Sequence, residues 1–442
     1  MNMRILVLGH GGREHALAWR LSQDPKVEVH LAPGNAFAAG SFRSIAVHES
    51  DPGAVVELAR RECHDLVVVG PEAPLAAGVA DALAHAGIAV YGPTRAAARI
   101  ESSKWFAKEL MREALIPTAR AQVCATLDDT TRALATFGVP HVVKADGLAA
   151  GKGVLVTEDR NAALAFAAEC FREEGSGTAP RVVVEEFLAG DELSVMAVCD
   201  GERFVLLPPA RDYKRAFDRD QGPNTGGMGA FAPVPDLPAG IEDEIGARIV
   251  EPVLRTMAAR GTPYRGTLYC GLMIGPHGVR VVEFNSRFGD PETQVIMPLV
   301  SGNLAELLRD AACGALDSGA VGRREGASVA VAIADREYPG VSSGEAIVLG
   351  LDVAAALDGV TVFGAALERL GEGWRVRGGR GAYLMAYDRT LAGARARAYT
   401  AIGMLNGSGW RCRGDIAAAV AGLTEGIFDP NRIRAVARAS GV

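Results

Sequence analysis

The chain has 442 residues, too many for one hydrophobic core and enough for about three ordinary domains. Hydrophobic residues make up 49% and charged residues 22%, which excludes a disordered or fibrous chain. Asp plus Glu outnumber Lys plus Arg by 53 to 46, a net charge of −7, and this argues against a nucleic-acid partner, whose phosphates call for a basic surface. Residues 4–8 then read as a short apolar strand and 13–21 as a helix, with Leu17 and Leu21 one turn apart. Strand 27–31, helix 54–61, the fully apolar strand 66–69, helix 76–85 and strand 88–91 follow. Apolar strands separated by helices predict a parallel sheet covered on both faces, a doubly wound domain over residues 1–101.

Ser102 or Ser103 caps a helix through Arg112, which stops before Ile116-Pro117. A smaller unit over about 120–188 holds strands 142–145 and 154–157 around a glycine-rich loop, then a helix and strand 181–185. Residues 189–322 carry mostly strand patterns, at 193–198, 204–207, 271–274 and 280–284. The stretch 325–442 starts with strand 327–334 and ends with a helix from Leu391 and a short strand near Trp410, a small α+β domain. The seven cysteines are widely spaced, so neither a zinc knuckle nor a redox dithiol is expected, and free thiols suit a reducing compartment. Met1 to Gly9 lacks the pattern of a signal peptide, and no apolar run is long enough to span a bilayer. The expectation is a cytoplasmic protein without a membrane partner.

Five segments carry chemistry. Gly9-His10-Gly11-Gly12-Arg13-Glu14 joins the first strand to the first helix, where small residues and free N–H groups suit a phosphate. A dinucleotide is disfavoured, because Glu14 replaces a small residue and the second strand ends Leu31-Ala32-Pro33-Gly34, without a ribose-binding acid. The bland alternative is a tight turn with no ligand. Lys144-Ala145-Asp146-Gly147-Leu148-Ala149-Ala150-Gly151-Lys152-Gly153 is a hairpin able to fold over phosphates, and no Ser or Thr follows Lys152 as a Walker loop requires. Lys144 weighs against a merely solvated hairpin, since it sits in an apolar strand where an unpaired charge is costly.

Val182-Val183-Val184-Glu185-Glu186-Phe187-Leu188 ends an apolar strand in acids and an apolar pair, suited to an adenine edge, with Glu192 beyond it for ribose hydroxyls; alone it reads equally as a solvated strand end. Glu283 and Asn285 lie two apart on a strand, hence on one face, and offer hard oxygen ligands for Mg²⁺ on ATP phosphates. Arg287 on the same face is placed to clamp a carboxylate or a transferring phosphate. Gln221-Gly222-Pro223-Asn224-Thr225-Gly226-Gly227-Met228-Gly229 is either backbone packed against a ligand or a surface loop.

Taken in order, GGREHALAW, VVGPEAPLAAGVAD, IESSKWFAKELM, VVKADGLAAGKGV, VVEEFLAGDE, GPNTGGMGAF and EFNSRFGDPETQ resemble the ATP-grasp superfamily and, within it, the phosphoribosylamine–glycine ligase family. Tyr338-Pro339-Gly340 and Gly378-Gly379-Arg380 extend the likeness. The resemblance implies a Rossmann-like N-terminal domain (1–101), an ATP-grasp domain of two α+β subdomains (102–322, lid about 120–188) and a C-terminal domain (325–442). It implies a monomer that ligates glycine to 5-phosphoribosylamine through glycyl phosphate, with release of ADP and phosphate, in purine biosynthesis. The alternative is another ATP-grasp carboxylate–amine ligase. A nicotinamide oxidoreductase is a rival from another class, opposed by Glu14.

The resemblance also implies roles. ATP falls to Lys104, Lys144, Gly147, Gly151, Lys152, Gly153, Glu185, Glu186, Phe187, Leu188 and Glu192, and Mg²⁺ or Mn²⁺ to Glu283 and Asn285. Arg287 and Asp290 orient glycine, with Lys144 the third catalytic residue. Phosphoribosylamine and the substrate site fall to Gly11, Gly12, Arg13, Glu72, Asp212, Lys214, Thr225, Gly226, Gly227 and Arg287. The chain departs from the family pattern at His10, at Tyr213 and at Ser286. It also lacks an acid near Tyr269-Cys270-Gly271 for a second metal, which leaves Asp290 or Glu292 as substitutes.

Overall fold

The N-terminal alternation folds as a five-stranded, all-parallel sheet in a computed structural model that describes residues 2–148, 153–172 and 180–422. Its strands run in the order Arg43–Ser44, Val27–Pro33, Met3–Gly9, Leu66–Val69, Val90–Tyr91. The physical basis is visible along the first strand. Ile5 and Val7 pack with Leu17, Leu21 and Val68 on one face, while Leu6 and Leu8 pack with Val55, Leu58 and Leu75 on the other. Both faces are therefore apolar, which is why the strand reads as an unbroken hydrophobic run. Asp51 caps the helix Pro52–Arg61 by accepting from the Gly53 and Ala54 amides. The helix expected over 76–85 is two, Glu72–Ala77 and Val79–His85, because Gly78 between them adopts a φ of +89°.

Ser103, rather than Ser102, caps the helix Lys104–Glu113. Beyond it the lid sheet is antiparallel, in the order Ala121–Cys124, Val182–Glu185, His141–Ala145, Val154–Thr157. Leu134, Ala163 and Ala167 of its two helices cover the face formed by Val143, Val182 and Val184. Strand alternation then turns Val142, Lys144, Val154, Val156 and Glu185 to the opposite face. That face looks across at a second antiparallel sheet: Phe204–Leu206, Asp191–Asp200, Arg265–Gly275, Gly278–Asn285.

Two features differ from the sequence expectation. Residues 189–322 hold the expected strands and also helix: Ile241–Ile245, a π turn Gly246–Val250 and Glu251–Ala259 form a continuous helical segment, and Leu304–Cys313 is another helix. Ile245, Ile249, Val253 and Met257 recur at helical spacing and are buried, a pattern available in the sequence. Further, one sheet joins distant parts of the chain: Arg211–Asp212, Gly229–Ala232, Ala327–Asp335, Arg380–Asp388, Val360–Gly364. The loop between the first two of these strands is thereby anchored on the C-terminal region. No helix among the described residues is long and apolar enough to cross a membrane.

Candidate active site

The lid sheet and the sheet facing it enclose a cavity of about 470 Å³, within the range of small-ligand sites. Lys144 is buried, and its Nζ lies 3.1 Å from Glu185 Oε2 and 3.0 Å from the carbonyl of Val282 on the opposing sheet. Lys108 Nζ is also 3.1 Å from Glu185 Oε2, so one carboxylate balances two ammonium groups. Burial pulls Lys108 down to about 8 although Glu185 opposes the change. Glu185, expected at the adenine edge, thus spends its carboxylate on these lysines. Glu186 likewise is held by Arg120 Nε and Arg280 Nη2, each at 2.6 Å. Phe187 and Leu188 line the cavity beside them, with Val142, Val154 and Val156 as an apolar wall.

Asp146 ties the glycine-rich loop to the start of the helix Lys104–Glu113, accepting from Ser103 Oγ at 2.9 Å and from the Trp105 amide at 3.2 Å. Lys104, the first residue of that helix, lines the cavity with Gly153. Gly147 does not reach the lining, and Gly151 and Lys152 lie outside the described residues.

Glu283 and Asn285 face the cavity from the strand Gly278–Asn285, and no described residue donates a hydrogen bond to either side chain. Burial acts to raise the Glu283 pKa, but Lys104, Lys214, Lys144 and Arg287 hold it below the ordinary carboxylate range. An ionised carboxylate and an uncommitted amide oxygen fit a hard divalent cation. The described residues contain no group of three or more His, Cys, Asp or Glu able to hold a metal. A cation held there would need further ligands from water or a bound substrate, as Mg²⁺ commonly does. The proposed substitutes for a second metal acid are otherwise engaged. Glu292 Oε1 accepts from Ser194 Oγ at 2.9 Å and Tyr269 OH at 2.8 Å. Asp290 pairs with Arg380 Nη2 at 2.8 Å and accepts from Gln294 at 2.7 Å.

Arg287 is not the open fork that its strand position suggests. Its Nε lies 2.9 Å from Glu72 Oε2 and its Nη2 3.1 Å from Glu101 Oε1, and Nη1 donates to the Phe288 carbonyl at 3.1 Å. Three of five N–H donors are engaged, which leaves two for a ligand. Glu101, which the sequence reading did not single out, also accepts from the amide and hydroxyl of Ser286, at 2.8 and 2.9 Å. Ser286 thus has a structural partner where the family pattern has Cys. Glu72 is pushed up by burial but brought down to about 2 from 4.5 by Arg287 and Arg13. A lowered folded-state pKa contributes stability above the unfolded value and loses it as pH falls. Thermal denaturation should therefore show wild type losing its advantage over Glu72→Gln as pH falls from about 5 to 2.

At the N-terminal turn the structure corrects the expectation of free amides. Glu14 folds back, its Oε2 accepting from the Gly11 amide at 2.7 Å and its Oε1 2.5 Å from Arg13 Nε. A Cβ at Gly9 would lie 2.6 Å from the Glu14 side chain, so these glycines accommodate Glu14 itself. Gly11 and Arg13 line the cavity; Gly12 packs beneath Tyr383 instead. His10 pairs with Glu49 at 3.2 Å.

Thr225 and Gly226 line the cavity's other end, and Gly227 packs behind them on Pro291. The loop is fastened twice. The Thr225 amide and hydroxyl donate to the Lys214 carbonyl, at 2.7 and 2.8 Å. Arg380 donates to the carbonyls of Gly226 and Gly227 while holding Asp290. Gly378-Gly379-Arg380 gave Arg380 no role in the sequence; only the antiparallel sheet that spans residues 211–388 brings it here. Lys214 Nζ pairs closely with Glu192, so the expected ribose acid is also bound, and lies 3.7 Å from Asp212 Oδ1. Tyr213, between them, accepts from the Ala417 amide at 2.9 Å.

A lid sheet with a buried lysine, clamped over a sheet that presents an acid–amide pair, defines an ATP-grasp enzyme. The profile described as "Phosphoribosylglycinamide synthetase, N domain" matches residues 3–101, and the one described as "Phosphoribosylglycinamide synthetase, ATP-grasp (A) domain" matches 102–293. The chain belongs to the phosphoribosylamine–glycine ligase family. It is 48% identical over 424 residues to the phosphoribosylamine–glycine ligase of Streptomyces coelicolor, covering 95% of this chain and 100% of that one. The Leifsonia xyli enzyme of the same name is 47% identical over 429 residues, covering 94% and 100%. The crystal structure of phosphoribosylamine–glycine ligase from Thermotoga maritima superposes with a TM-score of 0.80 at 33% identity, over 93% of this chain and 99% of that one. A biotin carboxylase domain from Hydrogenobacter thermophilus shares the fold alone, at 17% identity and a TM-score of 0.67 over 93% and 92%.

Proposed function

We propose that the chain uses ATP to join glycine to 5-phosphoribosylamine in purine biosynthesis, giving glycinamide ribonucleotide, ADP and phosphate. One observation carries the reading: a buried lysine on the lid faces an uncommitted acid–amide pair across a single cavity. Such phosphoryl transfer needs positioning and charge neutralisation more than covalent chemistry. The residues supply both. Lys104, Lys144 and the glycine-rich loop at Gly153 hold the ATP phosphates, and Phe187 and Leu188 flank the adenine. Glu283 and Asn285 hold Mg²⁺ or Mn²⁺, which, when bound, neutralises charge on the transferring phosphate. The two spare donors of Arg287 orient the glycine carboxylate, and Asp290, kept in place by Arg380, faces the same substrate. Gly11, Arg13 and the Thr225–Gly227 loop meet phosphoribosylamine. The decisive experiment is ADP release with glycine and freshly made phosphoribosylamine, each omitted in turn. Full release requires both. Release indifferent to either would refute the reading.

A further inference from the structure

We infer that Asp212 accepts the proton which the amine nitrogen sheds as the amide bond forms. This rests on the reaction proposed above. Attack by the neutral amine on the carbonyl carbon of glycyl phosphate makes the C–N bond. The C–O bond to phosphate breaks, and its electron pair leaves with the phosphate. The nitrogen is left with one proton too many, and that proton passes to the Asp212 carboxylate.

Most of the cavity's carboxylates are committed to cations or hydroxyls: Glu72 and Glu101 to Arg287, Asp290 to Arg380, Glu292 to Ser194 and Tyr269. Glu283 is the metal candidate. Glu185 also has an unpartnered oxygen, but it belongs to the lid sheet and sits between two lysines. Asp212 differs from all of these. Its Oδ1 is buried and takes no hydrogen bond. The nearest ammonium, Lys214 Nζ, is 3.7 Å away and pairs more closely with Glu192. Burial pushes its carboxyl well above the usual range; Lys214 pulls it down, and Glu292 and Glu192 facing it add to the rise. A base of that character is suited to receiving a proton near neutral pH.

Its position agrees. Asp212 ends the short strand paired to Ala230, two residues before the Lys214 carbonyl on which Thr225 hangs. It therefore stands beside the loop assigned to phosphoribosylamine and lines the same cavity.

The test supplies ATP and glycine with freshly made phosphoribosylamine and hydroxylamine together. Hydroxylamine traps glycyl phosphate as the hydroxamate and needs no enzymic base to do so. In Asp212→Asn the ratio of glycinamide ribonucleotide to hydroxamate should fall by about 10²–10⁴-fold, the usual contribution of general base catalysis. Asparagine has the same shape and removes a poorly compensated buried charge, so the variant should fold. Asp212→Glu moves the acceptor by one methylene and should lower the ratio by about tenfold or more. A ratio unchanged in either variant, whether both products persist or decline together, overturns the inference. Wild-type protein that forms neither product refutes the underlying reaction instead.

Discussion

Replacing Glu283 by Gln lowers glycine-dependent ADP formation by about 10³-fold or more. The reasoning is electrostatic. A divalent cation on the transferring phosphate is worth several kcal/mol of transition-state stabilisation, and each 1.4 kcal/mol is a factor of ten. Glutamine keeps the volume and one oxygen of the side chain but removes the charge proposed to anchor the cation. Lys104, Lys144, Lys214 and Arg287, which hold Glu283 ionised, then face the cavity with one anion fewer. Lys144 and Arg287 keep other carboxylate partners, Glu185 for one and Glu72 with Glu101 for the other, so the fold survives. Steady-state ADP release and near-UV circular dichroism measure the two effects. A folded variant with near-wild-type turnover would remove Glu283 from the metal site.

Arg287→Met costs both stability and activity, and the two losses have separate causes. The guanidinium lies between Glu72 and Glu101, and Glu101 is almost fully enclosed. Removing the cation leaves two carboxylates without their partner, a change that costs about 3–5 kcal/mol for a buried pair. Glu72 and Glu101 come from the N-terminal third of the chain and Arg287 from the strand end near residue 285, so the loss falls on the junction between them. Arg287→Lys keeps a charge but cannot hold two carboxylates while presenting spare planar donors to a ligand. It should regain part of the lost stability in urea titrations while turnover stays at least about a hundredfold down, the scale of a lost transition-state hydrogen-bond donor. Full recovery of turnover by lysine would show that Arg287 acts only as a fixed charge.

The strong signals in the sequence were local ones. Residues 66–69 had to be a buried strand, because four successive apolar side chains need cover on both faces. Lys144 was conspicuous because an ammonium group in an apolar strand demands a partner. Glu283 and Asn285 shared a face because strand residues two apart always do. These inferences needed only the period of the backbone. The missed helical segment 241–259 was also legible, since its buried Ile, Val and Met recur at helical spacing.

What remained out of reach was the identity of distant partners. Nothing in the strand containing Lys144 names Glu185 as its counter-ion or Val282 as its acceptor. Arg287 looked free because its two carboxylates stand about 200 residues upstream. Arg380 reached Asp290 through an antiparallel sheet whose strands are drawn from residues 211–232 and from residues 327–388. Sequence alone determined the class of chemistry, because residue type and backbone period decide which groups can face a ligand. Tertiary structure alone decided which of those groups are already neutralised and which remain free, because charge pairing depends on separation in space, and sheet register sets that separation.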